Sequence, residues 1–364
     1  MRERIQRIFS AAKNPPDVIL FANSAEPHLD LGFFYVTGVP SGLFEGSVAA
    51  IHPDGNCTLL TSPLEEESAR KAPEVTVEVV ATRDEMRKQL RDLVGDAKKV
   101  GMNYREVTHE MFRSLKKYAK GAKMVDVSDA VAQARSIKDR TEVQRISKAA
   151  EIAARTAKEI PSLLRSGMTE LELAAEVEHC MGKYGASGRS FNTIVAFGPH
   201  GAEPHFEPTA TKLKGPTTMV IDFGALYQRY CSDVTRSFAF GRPKKELRTM
   251  HETVEAAQQA AFELIRPGVR GSEVHAAAAK VIDASRWKGR FIHGLGHSVG
   301  LAVHDPGVGL SPRSKEKLRE GMVVTVEPGI YVPGVGGVRI EDDVLVTKNG
   351  YKILSEAPRG YIEV

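Results

Sequence analysis

Four acidic residues lie inside apolar, β-branched segments that have the composition of buried strands. The segments read Val-Ile-Asp-Phe-Gly, Ser-Asp-Val-Thr-Arg, Val-Thr-Val-Glu-Pro-Gly and Arg-Ile-Glu-Asp-Asp-Val, and their acidic residues are Asp222, Asp233, Glu327 and Glu341. A carboxylate buried without a partner is costly or takes up a proton, and four that converge also repel one another. A fold that buries all four therefore needs positive charge, which two divalent cations would supply.

One histidine, His297, lies between the two acidic pairs in the string His-Gly-Leu-Gly-His-Ser-Val-Gly. Four carboxylates and one imidazole suit Mn²⁺, Co²⁺, Fe²⁺ or Zn²⁺, and the lack of thiolates argues against a structural zinc site. Because carboxylates can bridge, five side chains can hold two ions about 3.5 Å apart and activate a shared water. Each residue taken singly is more often structural, but the set predicts hydrolysis at a carbonyl or phosphoryl group.

Three further histidines lie close in sequence to these segments. His205, in Pro-His-Phe-Glu-Pro, and His304, in Val-His-Asp, are expected in loops that bracket the site. Imidazoles placed there could donate to a developing oxyanion and protonate a leaving amine. His293 precedes His297 by four residues, but the intervening glycines favour a loop, from which His293 would line the pocket. The remaining candidates, His200, His251 and His275, have no such context and are expected to be surface or core residues.

The composition is that of a globular protein, with 42% hydrophobic and 26% charged residues. A formal net charge of +4 does not indicate a broad nucleic-acid-binding surface. The cysteines Cys57, Cys180 and Cys231 form no paired metal or redox pattern and suggest reduced thiols. With no signal-like N-terminus and no run of 18 apolar residues, the sequence predicts a cytoplasmic protein that does not contact membranes.

A length of 364 residues favours two domains. Strands are expected at 18–23, 33–37, 47–52 and 57–61, and helices at 84–94 and 109–118, which predicts an α/β domain over residues 1–132. Long helices are expected beyond this point at 142–165, 170–184, 245–265 and 272–285, with a strand at 192–196 and Thr169 as an N-cap. The candidate catalytic groups all fall in the second domain, residues 133–364.

The order of the five ligands, together with the strings His-Gly-Leu-Gly-His, Val-His-Asp and Val-Glu-Pro-Gly-Ile-Tyr, resembles the pita-bread metallopeptidases. The specific resemblance is to the Xaa-Pro dipeptidase (prolidase) and aminopeptidase P branch, and it covers about residues 136–364. It implies an α+β fold with a C-terminal pita-bread domain of the creatinase and aminopeptidase type. A smaller N-terminal α/β domain of the creatinase and prolidase type would precede it.

The resemblance also implies roles for individual residues. Two divalent metal ions (Mn, Co or Zn) would be held by Asp222, Asp233, His297, Glu327 and Glu341. Glu327 would also accept a proton from the attacking water, and His205 and His304 would be catalytic histidines that bind no metal. His293 would line the proline pocket, and Arg339 would orient the carboxylates beside the substrate.

Several alternatives stay open at this point. Creatinase-like relatives keep the fold but lack the ligands, so the five ligand candidates disfavour a metal-free hydrolase. Methionine aminopeptidases share the ligands but usually lack the N-terminal domain. An inactive pita-bread protein that binds a partner would belong to a different functional class. A prolidase acting on dipeptides is favoured slightly over an aminopeptidase acting on longer Xaa-Pro peptides. Some prolidases carry an arginine shortly after the corresponding string that binds the free carboxylate of a dipeptide, whereas the nearest arginine after Val-His-Asp in this sequence, Arg313, is displaced. A proline-containing peptide is the expected substrate, and a homodimer is the expected assembly.

Overall fold

A six-stranded mixed sheet organises the first of the two units into which the chain divides, Met1–Arg135 and Ser136–Val364. The computed structural model describes residues 1–119 and 121–364. The division falls three residues after residue 132, the end of the first domain predicted from the sequence. That domain boundary stays a prediction.

In the first unit the strands run in the order β4-β3-β2-β1-β5-β6 across the sheet. Their bounds are Val18–Ala22 (β1), Val48–Ile51 (β2), Cys57–Thr61 (β3), Thr76–Val79 (β4), Lys99–Met102 (β5) and Lys123–Asp126 (β6). The helices are Arg2–Ala11 (α1), Leu31–Thr37 (α2), Glu66–Ala69 (α3), Arg83–Val94 (α4), His109–Lys116 (α5) and Ser128–Ser136 (α6), with a 3₁₀ turn at Pro63–Glu65. The predicted helices at 84–94 and 109–118 are confirmed.

The strand predicted at 33–37 is wrong, because this segment belongs to helix α2. The side chain of Asp30 accepts a hydrogen bond from Gly32 N and caps the helix, and Gly38 ends it with a left-handed φ of 67°. The aromatic and β-branched residues of the segment suggested a strand, but the two caps and burial on nearly all sides favour a short core helix.

In the second unit the helices predicted from the sequence are confirmed. They are Arg140–Leu163 (α7), Glu170–Lys183 (α8), Lys245–Phe262 (α9) and Gly271–Asp283 (α10). Capping boxes begin α7 and α8, with Asp139 and the predicted Thr169 as N-caps.

The strands of the second unit form small antiparallel sheets. Their bounds are Gly188–Arg189 (β7), Ile194–Phe197 (β8), Thr217–Phe223 (β9), Ala225–Tyr227 (β10), Tyr230–Cys231 (β11), Val234–Phe240 (β12), Val323–Val326 (β13), Gly329–Val332 (β14), Gly336–Arg339 (β15), Asp342–Thr347 (β16) and Gly350–Ile353 (β17). Sheet orders are β12-β9-β8, β13-β16-β17 and β11-β10-β7, and β14 pairs with β15.

Two hydrophobic cores lie in this unit. One is formed by α7 and α8 packed against β8, β9 and β12 and includes Ile152, Val177 and Ile221. The other contains residues of α9, α10, β13 and β16, such as Val254 and Val324. Each core therefore contains one of the strand pairs that bear the acidic residues.

Among residues 1–119 and 121–364, no helix is long and apolar enough to cross a membrane.

Candidate metal centre

Strand register brings each acidic pair to one point. Asp222 lies on β9 directly opposite Thr235 of β12, and Asp233 immediately precedes β12. Glu327 follows Val326, whose partner across the sheet is Asp342, and Glu341 immediately precedes that partner. Antiparallel pairing thus places the two members of each pair side by side.

Hydrogen bonds between the two cores bring the two pairs together. Glu341 N donates to Thr235 O at 3.1 Å, and Thr235 Oγ1 donates to Glu341 Oε2 at 2.6 Å. Ser237 Oγ donates to Arg339 O and accepts from Arg339 N, each at 3.0 Å. The carboxylates of the two strand pairs consequently face a common space.

Ligand-type atoms of Asp233, His297 and Glu341 all lie within 4.8 Å of one another. His297 Nε2 lies 3.5 Å from Asp233 Oδ2 and 3.5 Å from Glu327 Oε1. Asp222 lines the same cavity. All five residues predicted as metal ligands are therefore brought together.

The close packing behind His297 depends on a glycine. A Cβ on Gly296 would lie 2.1 Å from the carbonyl oxygen of Thr325, closer than two such atoms can approach. His297 N donates to Thr325 Oγ1, which in turn donates to Glu327 Oε1 at 3.3 Å. One threonine thus orients two of the predicted ligands.

Burial shifts the protonation of the cluster. It raises the pKa of Asp233 and of Glu341 well above the usual range, and the neighbouring carboxylates raise both further. Burial also raises the pKa of Glu327 to about 8, against the effect of Arg339. The pKa of His297 falls to about 4 because of burial and the nearby His304. The cluster thus holds protons on its carboxylates that a cation would displace.

Three buried carboxylate oxygens test whether these residues fit a metal. Asp222 Oδ1, Asp233 Oδ1 and Glu341 Oε1 have no hydrogen-bond partner within the described part of the chain. Buried polar atoms are normally hydrogen-bonded or bound to a metal, so oxygens left free beside an imidazole suit a divalent cation. The donor set fits.

Arg339 lies behind the carboxylates and uses its whole guanidinium group. Nη2 donates to Asp222 Oδ2 at 2.7 Å, Nε to Thr235 Oγ1 at 3.0 Å, and Nη1 to Tyr331 OH at 2.9 Å and Pro204 O at 3.3 Å. These bonds orient Asp222 and Tyr331 and hold the segment that bears Pro204.

The remaining histidines predicted from the sequence line the same cavity, which has a volume of about 390 Å³. The ring of His304 lies 4.1 Å from that of His297, edge to face. His293 Nε2 lies 2.9 Å from Tyr331 OH, and burial lowers the pKa of His293 to about 4. His205 lines the cavity from an exposed position. Apolar side chains of Phe191, Ile194 and Val303 complete the wall.

Several supporting residues were missed from the sequence. Thr235, Thr325 and Tyr331 bond the charged groups, and neither their spacing nor their type marked them. Asp342 and Asp343, which follow Glu341 directly, are fully buried. Asp342 Oδ1 accepts from Arg236, its Oδ2 accepts from Arg359, and Asp343 Oδ2 accepts from Asp233 N. The continuous apolar run Val344-Leu345-Val346 directly after Asp343 was the available signal for a buried strand.

Comparisons with known proteins agree with this geometry. The family model described as metallopeptidase family M24 matches residues 144–348, and the model described as the creatinase/prolidase N-terminal domain matches residues 8–137. A Xaa-Pro dipeptidase of Pyrococcus horikoshii is 36% identical over 364 residues, covering 100% of this chain and 99% of that protein.

Solved structures are similar over the whole chain. An X-Pro aminopeptidase from Thermotoga maritima superposes with a TM-score of 0.92 at 33% identity, covering 99% of this chain and 100% of the other. A Xaa-Pro dipeptidase from Bacillus anthracis superposes with a TM-score of 0.88 at 32% identity, covering 100% and 99% of the two chains. Relatives of both substrate-length classes thus share this fold.

Proposed function

The chain belongs to metallopeptidase family M24, and we propose that it hydrolyses the peptide bond between a residue and the proline that follows it. The predicted α+β fold, a pita-bread domain after a creatinase-type N-terminal domain, is confirmed, as is the prediction of a metal-dependent peptidase. The substrate is accordingly a peptide. The proposed Xaa-Pro specificity rests on the names of its relatives, an X-Pro aminopeptidase and two Xaa-Pro dipeptidases, and on the residues that line the cavity.

The observation that carries the proposal is the convergence of the five proposed ligand side chains. Three of them have a buried oxygen with no hydrogen-bond partner among residues 1–119 and 121–364. We propose that two divalent ions, Mn²⁺, Co²⁺ or Zn²⁺, are held there. The residues concerned are Asp222, Asp233, His297, Glu327 and Glu341. When bound, the ions would polarise the scissile carbonyl and make a water more acidic.

Glu327 is the proposed proton acceptor. Its carboxylate lines the cavity and is 16% exposed, so a water in the cavity can reach it. In the absence of metal, burial favours the protonated form of Glu327; bound cations would ionise it and so leave it able to accept a proton from the attacking water. Thr325 fixes the carboxylate by donating to Oε1.

His304 and His205 are proposed to act on the peptide itself. Burial lowers the pKa of His304, so the ring is neutral near pH 7 and can donate one N–H to the developing oxyanion. His205 is more exposed and suits proton delivery to the leaving proline nitrogen. The bond before proline has no N–H, so recognition through its carbonyl and the proline ring is sufficient.

His293 is proposed to contact the proline ring. Hydrogen bonds to Gly294 O and Tyr331 OH fix both ring nitrogens, which leaves a rigid imidazole face on the cavity wall. Arg339 is proposed to orient the carboxylates and to act on substrate only through the groups it holds.

A dipeptidase is the first candidate, and one observation favours longer substrates as a second. Arg313 does not line the cavity but a separate groove, together with Arg270 and Lys315. Of the residues that line the cavity, Arg339 alone carries a permanent positive charge, and its guanidinium is already bonded. A dipeptide carboxylate therefore has no dedicated clamp among these lining residues.

The deciding experiment compares a Xaa-Pro dipeptide with the matching Xaa-Pro-Yaa tripeptide after loading with Mn²⁺, Co²⁺ or Zn²⁺ in turn. A Xaa-Ala dipeptide is the matched control for the proline ring. Equal cleavage of the Xaa-Pro and Xaa-Ala substrates would contradict the proposed specificity. If the protein bound no metal and hydrolysed none of these substrates, it would be an inactive binding protein.

A homodimer and a cytoplasmic location remain proposals. Light scattering at working concentration tests the first, and a solution mass of 39.7 kDa would refute it.

A further inference from the structure

A fully buried carboxylate outside the metal cluster lies beneath the segment that bears His205. Glu170, the first residue of helix α8, has no exposed surface. Its two oxygens accept four hydrogen bonds, all from one short stretch of chain. We call residues 198–208 of that stretch the His205 loop.

The four bonds hold both ends of the His205 loop and one point inside it. At the start, Phe197 N donates to Glu170 Oε1 at 2.9 Å. At the end, Thr209 N and Thr209 Oγ1 donate to Oε2 at 3.1 and 2.7 Å. Inside the loop, His200 Nδ1 lies 2.7 Å from Oε1. One carboxylate thus fixes the distance between the ends of an eleven-residue loop.

The loop is also held from its other side. A Cβ on Gly337 of β15 would lie 1.9 Å from Gly201 O, so the backbones touch here. Arg339 donates to Pro204 O, directly before His205. The ring of His200 stacks on that of Phe206 at 4.3 Å, directly after His205. His205 therefore lies between two restrained neighbours, one of which is linked to Glu170 through His200.

We propose that Glu170 is a positioning residue for His205: through His200 and the two loop ends, its carboxylate fixes where His205 meets the substrate. The inference rests on the proposed function for its catalytic consequence. Glu170 touches none of the reacting groups. Its loss should therefore lower kcat with little change in metal content.

The test uses full-length Glu170→Gln, which keeps the shape of the side chain but replaces one acceptor oxygen by a donor. Glu172→Gln is the matched control, because Glu172 lies on the same helix and its carboxylate accepts a hydrogen bond from Thr169 N. Among the described residues it makes no hydrogen bond to the His205 loop. In metal-free protein, hydrogen exchange of the Phe197 and Thr209 amides should quicken about tenfold or more in Glu170→Gln and stay unchanged in the control.

A mutant cycle separates positioning from general destabilisation. We expect Glu170→Gln to lower kcat about tenfold or more, with metal content unchanged. In a His205→Ala background the same substitution should lower kcat by less than about twofold, because the group it positions is gone. Equal losses in both backgrounds, or unchanged amide exchange, would overturn the proposal.

A second variant covers poor folding of Glu170→Gln. His200→Ala removes the contact to Glu170 inside the loop and the stacking on Phe206, and it leaves the bonds at both loop ends. The His200 side chain is 32% exposed, so the protein should tolerate the change. It should show a smaller kcat loss that again vanishes in the His205→Ala background, and persistence of the loss there would count against the proposal. If the wild type cleaves no Xaa-Pro peptide, the proposed function fails, and the exchange rates still decide whether Glu170 holds the loop.

Discussion

The metal-free protein should become less stable as the pH rises from 6.5 to 8. This trend is opposite to that of ordinary acid denaturation, in which stability falls as the pH falls. In the folded protein the pKa of Glu327 is about 8, against 4.5 for a free carboxyl. Between these values the folded state binds more protons than the unfolded state, so stability falls with rising pH. Asp233 and Glu341 shift in the same direction.

The magnitude follows from the size of the window. At about 1.4 kcal/mol per pH unit, Glu327 alone should remove about 2 kcal/mol between pH 6.5 and 8. For a unit of this size that corresponds to a loss of roughly 4–8 °C in Tm. His297, His251 and His293 have the opposite sign, since their pKa of about 4 lies below the ordinary 6.5. Half of each imidazole is still protonated in the unfolded state at pH 6.5, so each histidine offsets about 0.4 kcal/mol of the loss above that pH. Because Asp233 and Glu341 add to the loss from Glu327, the carboxylates set the sign of the change across this window.

The assay is urea unfolding in EDTA at the two pH values, followed by tryptophan fluorescence. The sequence has one tryptophan, Trp287, which is buried in a core of the second unit, Ser136–Val364, so its fluorescence reports the unfolding of that unit alone. Added Mn²⁺ should abolish the trend, because bound cations keep the carboxylates ionised. Glu327→Gln should weaken it and make the metal-free protein more stable at pH 8 than the wild type. The reasoning would be refuted if the metal-free wild type were as stable at pH 8 as at pH 6.5, or more stable.

Three further outcomes are expected. Asp233→Ala should abolish hydrolysis and lower metal content, whereas His304→Ala should remove most activity and leave the metal bound. Elemental analysis and turnover measured on each variant distinguish these two outcomes. Full turnover in His304→Ala would disprove the proposed role of His304. Lys138→Met should destabilise the protein by about 3–5 kcal/mol in urea unfolding, because it strips the buried Asp305 of a partner at 3.2 Å, and Asp305→Asn in the same chain should restore part of the loss. His251→Phe should flatten the fall in stability from pH 6.5 to 4, since burial lowers the pKa of His251 to about 4 and charging it costs up to about 3 kcal/mol; an unchanged slope in thermal melts would contradict this.

The sequence predicted the long helices and the metal-ligand candidates better than the short elements. Helices α7 and α8 have strong periodicity and capping boxes, so local signals and tertiary packing agree there. The segment 33–37 was mistaken for a strand because its residue types favour strands. The residues that favour a helix, Asp30 and Gly38, cap the segment from outside it, and Asp30 lies three residues before its start. In such a short element burial outweighs residue preference.

At the site, the charged groups were predictable and the neutral ones that orient them were not. Asp222, Asp233, Glu327 and Glu341 stood out because carboxylates are unusual in apolar strands. Thr235 is an ordinary strand residue in sequence, and only the meeting of β12 with the start of β16 makes it a donor to Glu341. Glu170 resembled any acidic residue in the first turn of a helix, since its four donors lie 27 to 39 residues away.

Because the proposed ligands are divided between two hydrophobic cores, metal affinity should depend on how accurately the two cores of the second unit are aligned with each other. Asp222 and Asp233 move with one core, and Glu327 and Glu341 with the other. A small slip between the cores would leave each half intact and still spread the ligands apart. Substitutions far from the cavity, in either core, would then be detected first as weaker metal retention, before any loss of helix or sheet content.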